Sequence, residues 1–222
     1  MSKKITAVIP AYNEEDTIGK IVEAALRHAD EVLVVDDGSQ DRTVEISKKA
    51  GARVISHKNN MGYIEALRAG FRNATGNIIV TIDADGQHDP SDILRLTKPI
   101  LEGKADVVIG ARETMTLSEE VISGLTRLKV KVSDASSGFR ALRRDLALEM
   151  KLKGRCTCGT FPLEAANLGA RIGEIRIKTA KRDSGGGRIR KEHLYQALVV
   201  IRELLDHSLL GHLRSCEHKA ST

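Results

Sequence analysis

The amino-acid sequence predicts an α/β fold in which a mainly parallel sheet is flanked by helices. Five short apolar runs, ITAVIP, EVLVVDD, ARVISH, NIIVTID and ADVVIGAR, alternate with stretches of helical periodicity. The runs are apolar almost throughout, as strands covered on both faces are. Polar clusters stand where four of them end: Asn13 and Glu14, Asp36 and Asp37, Asn59 and Asn60, Asp83 and Asp85. In an open parallel sheet those ends face one place, so the pattern predicts a site there.

The elements follow in order. Ile18, Ile21, Val22, Ala25 and Leu26 recur at helical spacing and form one apolar stripe. DRTVEISKKAG is a helix that starts at a capping Asp41 and stops at Gly51. GYIEALRAGFRNATG is a third helix, and DPSDILRLTKPILEG opens with a capping Asp89 and Pro90 at its first position. Beyond residue 112 the pattern loosens. SEEVISGLTRL reads as a short helix, and KVKVSDASSGFRALRRDLALEM runs from a strand through a turn into a helix whose Arg140, Arg143 and Arg144 face solvent. GARIGEIRIKTAK is another strand, and SGGGR is a loop. Leu194, Ala197, Leu198, Ile201, Leu204 and Leu205 mark a terminal amphipathic helix, read as packing on the core. The chain is expected to be a single domain over 1–222.

Composition narrows the function. A chain of 222 residues with 41% hydrophobic and 29% charged residues suits one soluble domain. Aromatics are 3% with no Trp, so stacking platforms for single-stranded nucleic acid are hard to build and no nucleic-acid partner is expected. The net charge of +5 is concentrated in residues 178–191, where Lys178, Lys181, Arg182, Arg188, Arg190 and Lys191 face Asp183 alone; such a block suits phosphates or an anionic membrane surface. No window reaches the roughly 18 apolar residues of a membrane span, so a cytoplasmic protein with at most peripheral membrane contact is expected. Cys156, Cys158 and Cys216 read as free thiols.

Asp83 and Asp85, with Gln87, place oxygen ligands on one side of a turning chain at the end of a buried strand. Oxygen ligands suit a hard cation, Mg²⁺ or Mn²⁺, that completes its shell with water and a substrate diphosphate. His88 follows this motif and reads as structural rather than as a base.

VIPAYNEEDTIGKIV, VLVVDDGSQDRTVEI, NNMGYIEALRAGF and IVTIDADGQHDPSDI, in that order and spacing, resemble the catalytic domain of family 2 glycosyltransferases. The subgroup that they resemble is dolichyl-phosphate mannosyltransferase with its polyprenyl-phosphate relatives. The likeness is dense over residues 4–112 and returns in SDASSGFRALRR and GEIRIKTAKRDSGGGR. It implies a glycosyltransferase-A fold of the nucleotide-diphospho-sugar transferase type and a nucleoside-diphosphate sugar donor, with GDP-mannose favoured. It also implies a divalent metal, a polyprenyl phosphate acceptor and inversion at the anomeric carbon. Carried over by position, Pro10, Tyr12, Glu14, Val35 and Asp37 hold the nucleoside, and Asp83 and Ala84 also touch the donor. Asp83, Asp85 and Gln87 bind metal; Arg112, Arg182 and Arg188 meet phosphates, for which guanidinium forks are suited. By the same resemblance the chain is a single catalytic domain with a nucleotide-sugar- and metal-binding half (1–112), an acceptor-side half (113–189) and a C-terminal amphipathic helix and tail (190–222), and DASSGFRALRR, with Asp134, Arg140, Arg143 and Arg144, either lies near the acceptor or serves the scaffold.

Two departures from that pattern bear on function. The segment ETMTLSEEVISGLTRLKVKV is shorter than its counterpart in the subgroup, and Gly187 and Arg188 replace a Ser and a Lys. Rival readings are a haloacid-dehalogenase-like phosphatase with Asp83 as nucleophile, a non-catalytic nucleotide-sugar-binding subunit, and transfer from a UDP-sugar to a saccharide or protein. A hydroxyl acceptor needs a general base, for which Asp134 is the candidate.

Overall fold

The computed structural model describes residues 4–180 and 195–205. β1 (Ile5–Ala11), α1 (Ile18–Leu26), β2 (Glu31–Asp36), α2 (Thr43–Lys49), β3 (Arg53–Ser56), α3 (Tyr63–Asn73) and β4 (Ile78–Thr81) succeed one another as strand-helix units. A 3-10 turn at Pro90–Asp92 leads into α4 (Ile93–Leu101) and β5 (Val107–Arg112). α5 (Leu117–Thr126), β6 (Arg140–Arg143), α6 (Arg144–Glu149), α7 (Thr160–Asn167) and β7 (Ile172–Ile177) follow. A further helix, α8, covers 195–205.

The strands form one seven-stranded sheet in the order β3-β2-β1-β4-β6-β5-β7. β6 runs antiparallel to both of its neighbours, β4 and β5, while the other pairs are parallel. Strand order reverses between β1 and β4, which opens a crevice outside their carboxyl ends.

Both faces are apolar. Along β1, Val8 joins a core layer with residues of α3, α6 and α7, while Ala7 and Ile9 join the opposite layer with α1 and α4. α3 lies close on β1 because Gly70 faces Val8: a Cβ there would come 2.3 Å from Val8 Cγ1. The N-terminal turn of α3 is thereby fixed over the carboxyl end of the sheet. Asp41 accepts from Thr43 N at 2.9 Å and Asp89 from Ser91 N at 2.9 Å, so both act at helix starts.

The structure differs from the sequence reading in the second half. KVKV forms no strand; Val130 and Val132 are buried and the intervening lysines exposed, an alternation that here serves an irregular segment after α5. Arg140 is not on a solvated helix face. It begins β6, whose backbone is needed by β4 and β5, and it is only 1% exposed. α8 lays Gln196 and Val200 on the core, and Gln196 Nε2 donates to the carbonyls of Cys156 and Cys158 at 3.0 Å each.

At the amino end of the sheet, Glu31 accepts from Thr6 Oγ1 at 2.6 Å, from Thr75 N and Oγ1 at 2.9 and 2.7 Å, and from Arg53 Nε at 2.8 Å. Burial opposes the charge, but these bonds outweigh it and hold the pKa at about 2 against an ordinary 4.5. A depressed folded value means that the contribution is present above the unfolded value and is lost as pH falls from about 4.5 towards 2. Glu31→Gln is therefore expected to lower the urea midpoint at neutral pH, with the gap to wild type narrowing at pH 3.

Candidate active site

A cleft of about 280 Å³ opens at the carboxyl ends of β1, β2 and β4. Pro10, Tyr12 and Glu14 line it from β1 and its loop, Asp37 from the end of β2, and Asp83, Ala84 and Asp85 from the end of β4. Asn60, Gly62, Tyr63 and Ala66 close it from the start of α3. The sequence-predicted residues Pro10, Tyr12, Glu14, Asp37, Asp83, Ala84 and Asp85 are thus brought together. A larger hollow of about 570 Å³ at the opposite end of the strands, around Asn77, Arg143 and Arg171, contains none of them.

The carboxylates have different work. Asp37 is 4% exposed, and its oxygens accept from Met61 N at 2.9 Å and Gly62 N at 2.7 Å, with His57 Nδ1 at 2.7 Å. It therefore fixes the loop that delivers α3 to the cleft. Asn13 and Asp36 are likewise architectural: Asn13 Oδ1 accepts from Gln40 N, and Asp36 Oδ1 from Ser39 N. Glu14 N donates to Thr43 Oγ1 at 2.8 Å, and Thr17 Oγ1 donates to Ala84 O at 2.7 Å, which ties the start of α1 to the Asp83–Asp85 turn.

Asp83 and Asp85 on that turn are half-buried. Asp85 Oδ1 accepts from Gln87 N at 3.1 Å, and Gly86 takes φ +75°, which reverses the chain. Asp83 accepts from the Tyr63 hydroxyl at 3.3 Å, and Oδ2 lies 3.8 Å from His88 Nε2. Burial raises the Asp83 pKa, but His88, the Arg140 charge and Tyr63 outweigh it, so the carboxyl stays below its usual range. The Tyr63 hydroxyl is pushed well up by burial and by Asp83. His88 is buried and stacks at a tilt on Phe139, with ring centroids 5.1 Å apart, in keeping with a structural role.

Among the described residues no group of three or more His, Cys, Asp or Glu forms a closed metal cage. Asp83 and Asp85 alone share the turn, each with oxygen capacity towards the cleft, which fits a hard cation that takes the rest of its shell from water and a diphosphate. Gln87 does not line the cleft; its carbonyl accepts from Ala180 N at 2.9 Å.

Three further expected residues, Val35, Arg112 and Asp134, do not line the cleft. The Val35 side chain is 0% exposed and sits in the core beside Gly70, so it does not line the cleft. Arg112 and Asp134 also lie off that lining and are bound to each other: Nε and Nη2 meet the two carboxylate oxygens at 2.7 and 3.1 Å, and Nη1 meets Glu119 at 3.0 Å. Asp134 is 0% exposed; burial raises its pKa, but Arg112 more than offsets this and lowers it. A carboxylate so held is a weak base. Arg182 and Arg188 lie outside the described residues.

Sequence reasoning missed His57 and Tyr63, and placed Arg140 on a solvated helix face or near the acceptor rather than buried beside Thr81. Only Tyr63 left a local signal, as the residue that opens α3 directly after Gly62. The other two are brought in by contacts distant in sequence.

Fold and cleft together define an α/β protein with an acid-lined ligand cleft at the switch point of its sheet. Residues 6–150 match the model of Glycosyl transferase family 2, and the chain belongs to that family. It is 32% identical to UDP-N-acetylglucosamine--dolichyl-phosphate N-acetylglucosaminyltransferase of Methanococcus voltae, over 80% of this chain and 86% of that one. It is also 32% identical to undecaprenyl-phosphate 4-deoxy-4-formamido-L-arabinose transferase of Edwardsiella ictaluri, over 82% of this chain and 61% of that one. Glucosyl-3-phosphoglycerate synthase of Mycobacterium tuberculosis superposes with a TM-score of 0.77 at 25% identity, covering 92% of this chain and 80% of that one. A second structure of that synthase, with Mn²⁺, UDP-glucose and phosphoglyceric acid, gives 0.75 at 25% identity, covering 92% and 79%. The fold is the glycosyltransferase-A type.

Gly138 leaves no room for a side chain, since a Cβ would lie 2.2 Å from Asp83 Oδ2. Gly138→Ala must displace that carboxylate, and Mn²⁺ affinity followed by electron paramagnetic resonance is expected to fall about tenfold or more.

Proposed function

We propose that this protein transfers a sugar from a nucleoside diphosphate to a polyprenyl phosphate, with Asp83 and Asp85 holding Mg²⁺ or Mn²⁺ against the donor diphosphate. The observation that carries the reading is the convergence of Asp83 and Asp85 with Tyr12, Glu14 and Asp37 in one cleft at the switch point. The acceptor class is supported by the names of the two relatives, which act on dolichyl and undecaprenyl phosphates. The sequence reading favoured GDP-mannose; no relative described above supports it, and the nucleotides named with them are uridine diphosphates. A UDP-sugar is therefore the proposed donor.

The chemistry follows from charge. The bound cation would neutralise part of the negative charge that gathers on the leaving nucleoside diphosphate. Tyr12, 46% exposed at the cleft edge, offers its ring to the base, and Pro10 floors the pocket. Asp37 holds the loop whose Gly62 and Tyr63 close the cleft. Arg112, Arg182 and Arg188 are proposed to meet phosphates, and the Glu119 and Asp134 carboxylates fix the orientation of Arg112.

A lipid phosphate is already an anion and attacks the anomeric carbon from the face opposite the diphosphate without losing a proton, so the product is inverted. A hydroxyl acceptor would need a base. Asp134, buried and bound bidentately to Arg112, is poorly suited to that role. The phosphatase alternative has no support once the family is known. No helix among the described residues is long and apolar enough to cross a membrane. Contact with the lipid is accordingly proposed to be peripheral.

Transfer is tested with UDP-N-acetylglucosamine, UDP-glucose and GDP-mannose, Mn²⁺, and a short polyprenyl phosphate in detergent. Metal-dependent transfer from a UDP-sugar is expected, with Asp85→Ala lowering kcat at least about a hundredfold. Donor binding without transfer to any lipid phosphate would favour the non-catalytic reading, and transfer only from GDP-mannose would restore the mannosyl donor.

A further inference from the structure

Arg140 is the largest of the fully buried side chains, at 1% exposure. Its Nε and Nη2 are buried with no hydrogen-bond partner among the described residues. The guanidinium lies over the Phe161 ring, 4.3 Å from the centroid. A buried guanidinium without a bonded counterion is costly, and a packed apolar side chain in its place is commonly neutral or stabilising. Stability therefore does not account for it.

Its position suggests what does. Arg140 pairs with Thr81 across β4 and β6, two residues before Asp83, and its charge reaches both Asp83 and Tyr63. Thr81 Oγ1 donates to Gly138 O at 2.6 Å and Gly138 packs on Asp83, so strand and turn are locked together there. Among the described residues the cleft beyond is lined by four carboxylates, Glu14, Asp37, Asp83 and Asp85, and by no Lys or Arg. A nucleoside diphosphate brings more negative charge into this space, and a divalent cation offsets only part of it.

We infer that Arg140 is a positioning residue for the donor: a fixed cation beneath the floor of the cleft that lets Asp83 and a nucleoside diphosphate occupy it together. The inference rests on the proposed function and adds to the phosphate-binding arginines proposed there a fixed counter-charge on the Asp83 side of the cleft. The Phe161 ring meets the guanidinium with its π face. The cation acts through the low-dielectric interior rather than by contact, so it needs no hydrogen bond to the ligand. Without it, the carboxylates and the diphosphate repel one another.

The test is UDP affinity at saturating Mn²⁺, by calorimetry, together with thermal midpoints, for wild type, Arg140→Met, Arg140→Gln and Arg140→Lys. Arg140→Met is expected to weaken UDP binding about tenfold while the thermal midpoint is kept or raised, and Arg140→Lys to recover most of the affinity. A side chain of merely structural importance would give the reverse, a lowered midpoint with UDP affinity within about twofold of wild type. That result would overturn the inference. Should Arg140→Met not fold, Arg140→Gln decides by the same two readouts. If wild type itself binds no nucleoside diphosphate, the proposed function fails and takes this inference with it. Unchanged affinity in the variants beside a binding wild type removes the inference alone.

Discussion

The site depends on the close contact between Asp83 and Gly138. Asp83 belongs to the turn after β4, and Gly138 to the loop that feeds antiparallel β6; the absent side chain at 138 is the space that the carboxylate fills. The hydrogen bond from Thr81 to the Gly138 carbonyl fixes the same junction one step deeper. This is where the parallel half of the sheet, which supplies the cleft, is joined to the half that carries Arg112 and Asp134. A shift of either segment moves the Asp83 carboxylate within the cleft.

Around that junction, charge is distributed in layers. Facing the cleft are carboxylates, some committed to architecture, as Asp37 is to the loop before α3, and some with oxygens left for a ligand, as Asp85 is. Around Asp83 stand His88, Arg140 and the cleft-lining Tyr63, which favour its ionised form against the burial that opposes it. To one side, Arg112 is held in a fixed orientation by Asp134 and Glu119. Such preorganisation suits a reaction whose barrier is dominated by charge appearing on a departing group.

Much of this was legible in the sequence because it is local. An apolar run followed at once by acids fixes both a buried strand and the place of its ligands, and four such ends in register imply one cleft. What was illegible depends on partners far away in the chain. GFRALRR has the arginine spacing of a solvated helix, and only its insertion between β4 and β5 makes Arg140 a buried residue. Asp134 is read from sequence as the candidate base near the acceptor; its pairing with Arg112, 22 positions earlier, is set by how the loop after α5 folds back over β5. Val35 was assigned to the ligand by position in a motif, yet strand alternation turns its side chain into the core.

The central claim is that Asp83 and Asp85 hold a divalent cation against the diphosphate of a nucleotide in this cleft. A crystal structure grown with Mn²⁺ and UDP, with anomalous data collected at the manganese edge, tests it most directly. The account predicts one manganese peak within bonding distance of both carboxylates and of the UDP diphosphate. UDP bound elsewhere, or bound here with manganese absent from Asp83 and Asp85, would contradict it.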